Sequence, residues 1–376
     1  MPVGRRAVYD KINGVETQVS RALVRETSRR LIPVIEALGG TLPDILPGYP
    51  VRILDGSHLA ASEHRIGELR RIAAGPLPGQ SLVVLDPRCM LPVDVFPCED
   101  GHAQERSILL NLPDILVPGE VWIADRNFCV AWFLFEIANN HAFFVIRQHA
   151  ANVRWEPVGQ RHKIGRTSTG MVYEQMVRIH DDFKNSLEVR RITIVLDEPT
   201  EDGDTEIHLL TNLPRKVKAV RIADAYRHRW TIEGAFAELA KTLNSEISSL
   251  GYPPAALFGF CLALVAYSVL SVVKAALRAE HGVDKIEKEV SGYYLANEIS
   301  GVARGMMIAI PSEHWKTAFA NRTPREMAKI LRQLAKKVNL LHFKKHPRAP
   351  KKAAPKRTLY RKKTHVSTAK ILAARK

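Results

Sequence analysis

The chain has 376 residues, 46% hydrophobic and 25% charged, enough for roughly two globular domains or one domain with a large insertion. Its net charge of +16 is unevenly spread: residues 341–376 contain 13 Lys or Arg and no acid, which leaves +3 for the first 340 residues. Such a basic tail favours a polyanionic partner, with nucleic acid the first candidate. Four cysteines without paired spacing argue against a zinc ribbon or a disulfide scaffold, and no secretory signal follows Met1, so we expect a cytoplasmic protein.

The first half of the chain predicts an α/β sheet. Residues 1–40 have the pattern of an amphipathic helix that ends at Gly39-Gly40. Five apolar runs then predict strands, with helices before and after the fourth. The predicted strands are 51–54, 81–85, 90–96, 121–124 and 142–147, and the predicted helices are 102–111 and 129–139. Three of the runs stop at an acid, namely Asp55, Asp86 and Asp125, and a further acid, Asp94, lies inside the third strand.

The second half of the chain changes character. Residues 150–215 predict a β-rich insertion with antiparallel strands at 171–179, 187–196 and 207–211. A helix is predicted from about 220 to 247, followed by an apolar helix at about 255–278. The uncharged run 255–273 is long enough to cross a bilayer, but we favour a buried core helix because the run stands alone in a charged chain. A helical segment to 340 and a disordered basic tail (341–376) complete the chain.

The helix at about 220–247 carries an unusual face. At 100° per residue, Tyr226, Arg229 and Glu233 lie within about 60° of one another. A phenol, a guanidinium and a carboxylate therefore share a face that an ordinary amphipathic helix makes apolar. The alternative is an exposed face with an ordinary ion pair between Arg229 and Glu233, four residues apart.

Three carboxylates, Asp55, Asp125 and Glu233, are candidates for a common site. Reactive groups in an open α/β sheet collect at the carboxyl ends of strands, where a nearby helix can add a third group. Converging acids suit hard divalent cations such as Mg²⁺, which support phosphoryl transfer. Each acid also has an ordinary explanation as a turn cap or a local ion pair, and Asp86 and Asp94 are rivals of similar local appearance. His58 and His64 lie near Asp55 without the spacing of a zinc site.

Four stretches together resemble the DDE transposases of bacterial insertion sequences, in the group with a Tyr–Arg–Glu–Lys signature. They are Ile53-Leu54-Asp55-Gly56, Ile123-Ala124-Asp125-Arg126-Asn127-Phe128, Thr211-Asn212-Leu213-Pro214 and the set Tyr226, Arg229, Trp230 and Glu233. The resemblance covers roughly residues 48–280. It implies a ribonuclease-H-like mixed sheet with helices on both faces, interrupted by an antiparallel β-rich insertion before the helix that bears Glu233.

The sequence patterns and the resemblance together predict a domain division. It comprises an N-terminal helical segment (1–47), a first part of the catalytic core (48–149), the insertion (150–215), a second part of the core (216–280), a C-terminal helical segment (281–340) and the basic tail (341–376). The relatives carry a DNA-end-binding region before the first catalytic strand. The short N-terminal segment here is interpreted as a truncated form of that region.

The activity that the resemblance implies is cleavage of one strand at each transposon end and transfer of the freed 3′-hydroxyl into target DNA. Asp55, Asp125 and Glu233 would hold two Mg²⁺ ions, with Mn²⁺ as a substitute. Tyr226 and Arg229 would hold a backbone phosphate of the transposon end. The expected partner is double-stranded DNA, bound by a homodimer, without a membrane.

Two points depart from the family pattern or stay open. The family's Lys lies seven residues after its Glu, where this chain has Ala240, so we assign the role to the neighbouring Lys241. Trp230 is expected to pack in the core, the alternative being a stack against a base. Two functions besides transposition fit the same residues: a catalytically decayed DNA-binding copy that competes with or inhibits transposition, and a sequence-independent nuclease.

Overall fold

The computed structural model describes residues 4–149, 151–346 and 365–374. The helices are α1 (Arg5–Asn13), α2 (Thr17–Leu38), α3 (Glu105–Ile108), α4 (Ala131–Asn139), α5 (Ala219–Arg227), α6 (Trp230–Thr242), α7 (Pro253–His281), α8 (Val283–Glu289), α9 (Gly292–Ala309), α10 (Ser312–Phe319), α11 (Pro324–Ala335) and α12 (Thr368–Ala373). The strands are β1 (Val51–His58), β2 (Gly75–Leu77), β3 (Gln80–Asp86), β4 (Leu91–Cys98), β5 (Val121–Ala124), β6 (Phe143–Arg147), β7 (Arg154–Pro157), β8 (His162–Thr167), β9 (Gly170–His180), β10 (Ser186–Leu196), β11 (Glu206–Thr211) and β12 (His365–Ser367).

The main sheet has ten strands in the order β4-β3-β1-β5-β6-β11-β10-β9-β7, with β8 paired to β9. Strands β1, β5 and β6 are parallel to one another, and the other pairings in this sheet are antiparallel. Helices cover both faces, since α5, α6 and α7 contribute to one hydrophobic core and α4 to the other. The predicted ribonuclease-H-like mixed α/β fold is therefore confirmed.

Alternation along the strands determines which side chains meet which helices. In β1, Ile53 faces the core formed with α5, α6 and α7, whereas Leu54 faces the core formed with α4. In β5, Ile123 and Ala124 divide in the same way. Residues an even number of positions beyond Ile53 and Ile123 therefore point toward α5–α7.

The β-rich insertion continues the main sheet. Its last strand, β11, pairs with β6, and β10, β9 and β7 follow outward. Strands β9 and β10 pair along their full lengths, from Gly170 opposite Leu196 to His180 opposite Ser186. The insertion therefore extends the surface next to the end of β6.

The N-terminal helix α2 packs against the sheet and against α7. Arg21 donates two hydrogen bonds to Asp94 in β4, at 2.9 and 2.8 Å, and the Ser28 hydroxyl donates to the Pro92 carbonyl at 2.6 Å. The buried guanidinium of Arg278 in α7 donates to the carbonyl of Gly40 at 2.7 Å. Asp94 thus binds a neighbouring helix. This contact explains why an acid lies inside a strand, and no catalytic role is needed to account for it.

Helix α7 confirms the buried core helix predicted at about 255–278. It is long and apolar enough by composition to cross a membrane, but 67% of its most apolar window is buried inside the protein. Leu257, Phe260 and Tyr267 pack into the core beneath the sheet. Its apolar composition is explained by this packing.

Some predicted boundaries were wrong. The helix predicted at 102–111 is a four-residue helix, α3, followed by 3-10 turns in which the Leu112 N–H bonds to the Leu109 carbonyl three residues back. The helix predicted at 220–247 is interrupted at His228–Arg229 and ends at Thr242, shortly before Asn244 adopts a left-handed φ of 49°. Strand β1 does not end at Asp55 but runs to His58, because β3 pairs with its last residues.

Part of the basic tail is ordered, contrary to the prediction of disorder over 341–376. Residues His365–Ser367 form β12, which pairs in parallel with β2, and α12 follows. The pairing satisfies backbone groups of both short strands, and Lys370 forms an ion pair with Asp100 at 2.9 Å. Residues 347–364 of the tail lie outside the described residues.

Candidate active site

Asp55 and Asp125 lie side by side at the end of the parallel pairing. The last paired residues of β1 and β5 are Leu54 and Ala124, and each aspartate is the next residue of its chain. Two positions beyond Ile53 and Ile123, both carboxylates point toward the α5–α7 face of the sheet. The sheet register therefore brings together two acids that are seventy residues apart in the sequence.

Arg229 joins Asp55 to Glu233. Its Nη1 donates to Asp55 Oδ2 at 3.0 Å and its Nη2 donates to Glu233 Oε1 at 2.7 Å. The side chains of Arg229 and Asp55 are 12% and 16% exposed, whereas Glu233 is 51% exposed. The guanidinium thus lies between one sheltered carboxylate and one that faces solvent.

Tyr226 contacts the second aspartate. Its hydroxyl donates to Asp125 Oδ1 at 3.3 Å. Burial of the ring, together with the negative charge of Asp125, raises the pKa of Tyr226, so the phenol stays protonated and available as a donor. Burial lowers the pKa of Arg229, but Tyr226, Asp55, Asp125 and Glu233 outweigh burial and raise it overall. Tyr226 and Arg229 together bind all three predicted acids.

Asp55 is sheltered enough to affect its ionisation. Burial is the largest effect and raises the pKa of Asp55 to about 6, while Arg229 and the backbone N–H of Gly56 act to lower it. The nearby carboxylates of Glu105 and Glu233 add to the rise. An acid in this environment is stabilised in its charged form by a neighbouring cation.

Glu105 is a site neighbour that sequence reasoning missed. Its carboxylate lies against Gly56, where a Cβ would collide with it, and it accepts a hydrogen bond from Asn127 Nδ2 at 3.2 Å. It therefore contacts the residue after Asp55 and the 3-10 turn after Asp125. Helix α3 is too short to produce a periodic pattern, so no sequence signal identified Glu105.

The segment Thr211-Asn212-Leu213-Pro214 positions the start of α5. Asn212 continues the pairing of β11 with β6 through its side chain, accepting from the Phe144 N–H and donating to the Ala142 carbonyl, both at 2.9 Å. The Thr211 hydroxyl accepts from the Leu213 N–H at 3.1 Å. The amide side chain thus replaces a backbone partner where the chain leaves the sheet.

Arg190 in β10 also binds the segment that leads from β11 to α5. The buried guanidinium donates to the carbonyls of Leu213, Pro214 and Val217 at 3.2, 3.0 and 2.8 Å. Its other nitrogens bind Glu174 at 2.7 and 3.1 Å. The approach of α5 to the sheet, and with it the position of Tyr226, depends on this cluster.

The break between α5 and α6 brings Arg229 into the site. Across the break the bonds span three residues, from the His228 N–H to the Ala225 carbonyl (3.0 Å) and from the Arg229 N–H to the Tyr226 carbonyl (2.9 Å). This tightened turn directs Tyr226 and Arg229 at the two aspartates, and Glu233 joins them from the solvent side through Arg229.

The remaining predicted residues lie outside this cluster. Lys241 is exposed in the last turn of α6, about 12 Å along the helix axis from Glu233 at 1.5 Å per residue. Trp230 is 58% exposed, so the expectation that it packs in the core was wrong: as the first residue of α6 it projects from the helix start. Asp86, the rival acid, binds Arg52 at 2.9 Å and accepts from the Arg88 N–H at 2.8 Å.

The donor chemistry of the three acids fits a divalent cation. Asp55, Asp125 and Glu233 offer only carboxylate oxygens, which Mg²⁺ prefers. Among the described residues no three His, Cys, Asp or Glu side chains are grouped to share a metal ion, and Arg229 separates Asp55 from Glu233. The guanidinium thus supplies the positive charge that the sheltered acids require.

The fold and the site define a ribonuclease-H-like domain with two aspartates just beyond the parallel pairing of β1 and β5 and a glutamate on a helix. A family model described as the transposase DDE domain matches residues 46–268, which contain all three acids. The chain therefore belongs to the DDE-domain transposase family. A search of curated proteins finds no match.

Proposed function

We propose that this chain is a transposase that cuts one DNA strand at each transposon end and joins the freed 3′-hydroxyl to target DNA. The observation that carries the proposal is the convergence of Asp55, Asp125 and Glu233 through Arg229 and Tyr226. These residues lie inside the stretch that matches the transposase family. Phosphoryl transfer of this kind needs positioning and charge stabilisation rather than a covalent enzyme intermediate.

The three acids are proposed to hold two Mg²⁺ ions, with Mn²⁺ as a substitute. When bound, such ions supply activation of the attacking hydroxyl and stabilisation of the leaving oxygen. All three ligands act together only if Arg229 leaves the position between Asp55 and Glu233. Burial of Asp55 excludes water from one side of the site and strengthens electrostatic interactions there.

Tyr226 and Arg229 are proposed to bind a backbone phosphate of the transposon end. A protonated phenol and a planar guanidinium are both hydrogen-bond donors, and the guanidinium matches two phosphate oxygens. In the free protein they donate to carboxylates, so a phosphate would exchange one anionic acceptor for another. Lys241 is proposed as an additional phosphate contact whose long stem reaches from the last turn of α6.

The proposed partner is double-stranded DNA at the transposon ends and at the target, bound by a homodimer that brackets two ends. The net charge of +16 supports association with DNA that weakens as salt is added. A basic tail gives affinity without sequence preference, so recognition of the ends requires additional contacts.

Strand cleavage on labelled duplexes tests the proposal. The duplexes carry the DNA that flanks the gene on each side, and reactions contain Mg²⁺ or EDTA. Asp55→Ala, Asp125→Ala and Glu233→Ala run beside the unchanged chain, and Asp284→Asn, which removes an exposed acid on α8, is the matched control. We expect metal-dependent nicking at the ends that each site variant abolishes and the control retains.

Other outcomes have defined meanings. Binding without cleavage by the unchanged chain would contradict the catalytic proposal and favour a DNA-binding copy that competes for ends. Cleavage at equal rates on unrelated duplexes would favour a sequence-independent nuclease. Cleavage that survives Glu233→Ala would exclude the solvent-facing acid from the catalytic set.

A further inference from the structure

The connection between β10 and β11 is strongly acidic. Residues 197–206, which we call the acidic loop and which end with the first residue of β11, contain six Asp or Glu and no Lys or Arg. The loop is folded on itself: the Thr200 N–H donates to the Asp204 carbonyl at 2.9 Å, and the Asp204 N–H donates to Thr200 Oγ1 at 3.1 Å. The carboxylates of the loop are therefore held on a turn with a fixed backbone conformation.

Four acids of this loop form ion pairs with arginines from other segments. The pairs are Arg126 with Asp202 (3.6 Å) and Asp204 (3.9 Å), Arg147 with Asp204 (2.5 Å), Arg161 with Glu206 (3.1 Å), and Arg166 with Asp197 (2.6 Å). Two of these arginines approach Asp204 from different parts of the fold, one from the turn after β5 and one from the end of β6. A single loop thus neutralises a set of arginines that meet only in the folded protein.

Arg126 and Arg147 border the candidate active site. Arg126 follows Asp125 directly, and Arg147 ends the strand beside β5. Arg147 lies two positions beyond Val145, on the same face as the catalytic candidates, and its charge acts to lower the pKa of Tyr226. Both guanidinium groups therefore lie beside Asp125, one next to it in the chain and one at the end of the adjacent strand.

Several arginines besides those in the ion pairs of Asp204 lie near the loop. Burial lowers the pKa of His208 to about 4, and the neighbouring charges of Arg191, Arg161 and Arg147 contribute to this shift. Arg126, Asp202 and Asp204 are 43%, 69% and 36% exposed, so the Arg126 pairs contribute little to stability, whereas Arg147 is 17% exposed and holds Asp204 more closely. A row of DNA phosphates is a stronger competitor because its binding releases condensed counterions.

We propose that the acidic loop covers Arg126 and Arg147 in the free protein and competes with the DNA backbone for them. Its carboxylates take the place of phosphates until duplex DNA displaces the loop. The loop thereby weakens nonspecific binding close to the acids. The identity of the partner as DNA rests on the proposed function, whereas competition for the two arginines is measured without cleavage.

Equilibrium binding to a labelled 20-bp duplex of arbitrary sequence, in EDTA and over a series of salt concentrations, tests the proposal. Asp202→Asn/Asp204→Asn is expected to bind about tenfold more tightly than the unchanged chain at low salt. Asp284→Asn/Glu298→Gln removes two exposed acids elsewhere and serves as the charge-matched control.

A second pair of variants separates competition from a general change in charge. Arg126→Gln/Arg147→Gln is expected to weaken binding and to reduce the salt slope by about 0.9 for each lost phosphate contact. In that background, neutralising the loop should no longer tighten binding beyond the control. A gain that matches the control, or that persists without the two arginines, would overturn the proposal.

These outcomes are independent of catalysis. If the chain never cuts DNA but the loop variant gains affinity through the arginines, the covering role stands and the proposed activity fails. If the chain cuts transposon ends but the loop variant gains nothing, the activity stands and the covering role fails.

Discussion

Replacing Arg190 with Met should destabilise the region that carries the site, although Arg190 touches none of the three acids. Its side chain is 4% exposed and binds Glu174 (19% exposed) as well as three carbonyls of the segment before α5. Breaking a buried charge pair by removing one partner costs about 3–5 kcal/mol, because the other charge stays buried without compensation. Glu174 is partly exposed, so we expect the lower end of that range even though the three carbonyls also lose their donor.

Hydrogen–deuterium exchange of the peptide that covers residues 213–227 is a suitable measurement, since local opening is expected before global unfolding. A loss of about 3 kcal/mol corresponds to exchange on the order of a hundred times faster, at 1.4 kcal/mol for each factor of ten. Arg178→Ala is the matched control, because Arg178 lies in neighbouring β9 and pairs with Glu156 and Glu188 on the surface.

Exchange in the control should stay unchanged throughout this peptide. The double variant Arg190→Met/Glu174→Gln should recover part of the protection, since it removes the uncompensated carboxylate. If Arg190→Met exchanged no faster than Arg178→Ala, the cluster would not hold the approach of α5, and the reasoning would be wrong.

Three further predictions concern the acids. The pKa of Asp55 is raised to about 6 in the folded protein from an ordinary 3.8, so the protonated side chain adds about 3 kcal/mol to the free energy of unfolding below pH 4, and this contribution is lost as the pH rises through 6. Urea denaturation at several pH values should therefore show a loss in the unchanged chain that is absent in Asp55→Asn, and parallel pH profiles would contradict the prediction. Gly56→Ala should displace only the Glu105 carboxylate, the mobile end of that side chain, so the loss in thermal denaturation should stay below about 1 kcal/mol and should vanish in Glu105→Ala; a larger loss would contradict this. Arg229→Gln should tighten Mg²⁺ binding about tenfold in calorimetry without DNA, because a competing cation leaves Glu233; weaker binding would contradict it.

Much of the central sheet was predictable because short apolar runs bounded by acids and turns have few alternatives. The run Val121–Ala124 was placed correctly from composition alone, and alternation beyond Ile53 and Ile123 also determines the face on which Asp55 and Asp125 lie. The exact end of β1 was not predictable, because its last residues adopt strand conformation only by pairing with β3. Order in residues 365–374 likewise depends on a distant partner, β2.

The site was predictable only in part. Spacing on a helix identified Tyr226, Arg229 and Glu233 as one face, and the structure places the first two against the aspartates. The spacing also indicated the Arg229–Glu233 ion pair, but it contains no information on contacts with other elements, so the pairing with Asp55 and Asp125 was not anticipated. Glu105 had no signal, because it approaches Gly56 from a four-residue helix whose position is determined by tertiary packing.

The pairing of the expected phosphate ligands with carboxylates follows from electrostatics. A sheltered acid such as Asp55 requires a nearby positive charge, and Arg229 is the cation that the chain itself provides. In the acidic loop the signs of the charges are reversed: its carboxylates neutralise Arg126 and Arg147 beside the site. Under the proposed function, both sets of contacts would be internal substitutes, a guanidinium for a divalent cation and a carboxylate for a phosphate. Binding of metal and DNA would therefore replace existing ion pairs with stronger ones, and no unpaired charge would have to be buried beforehand. The same internal pairs would stabilise the free protein.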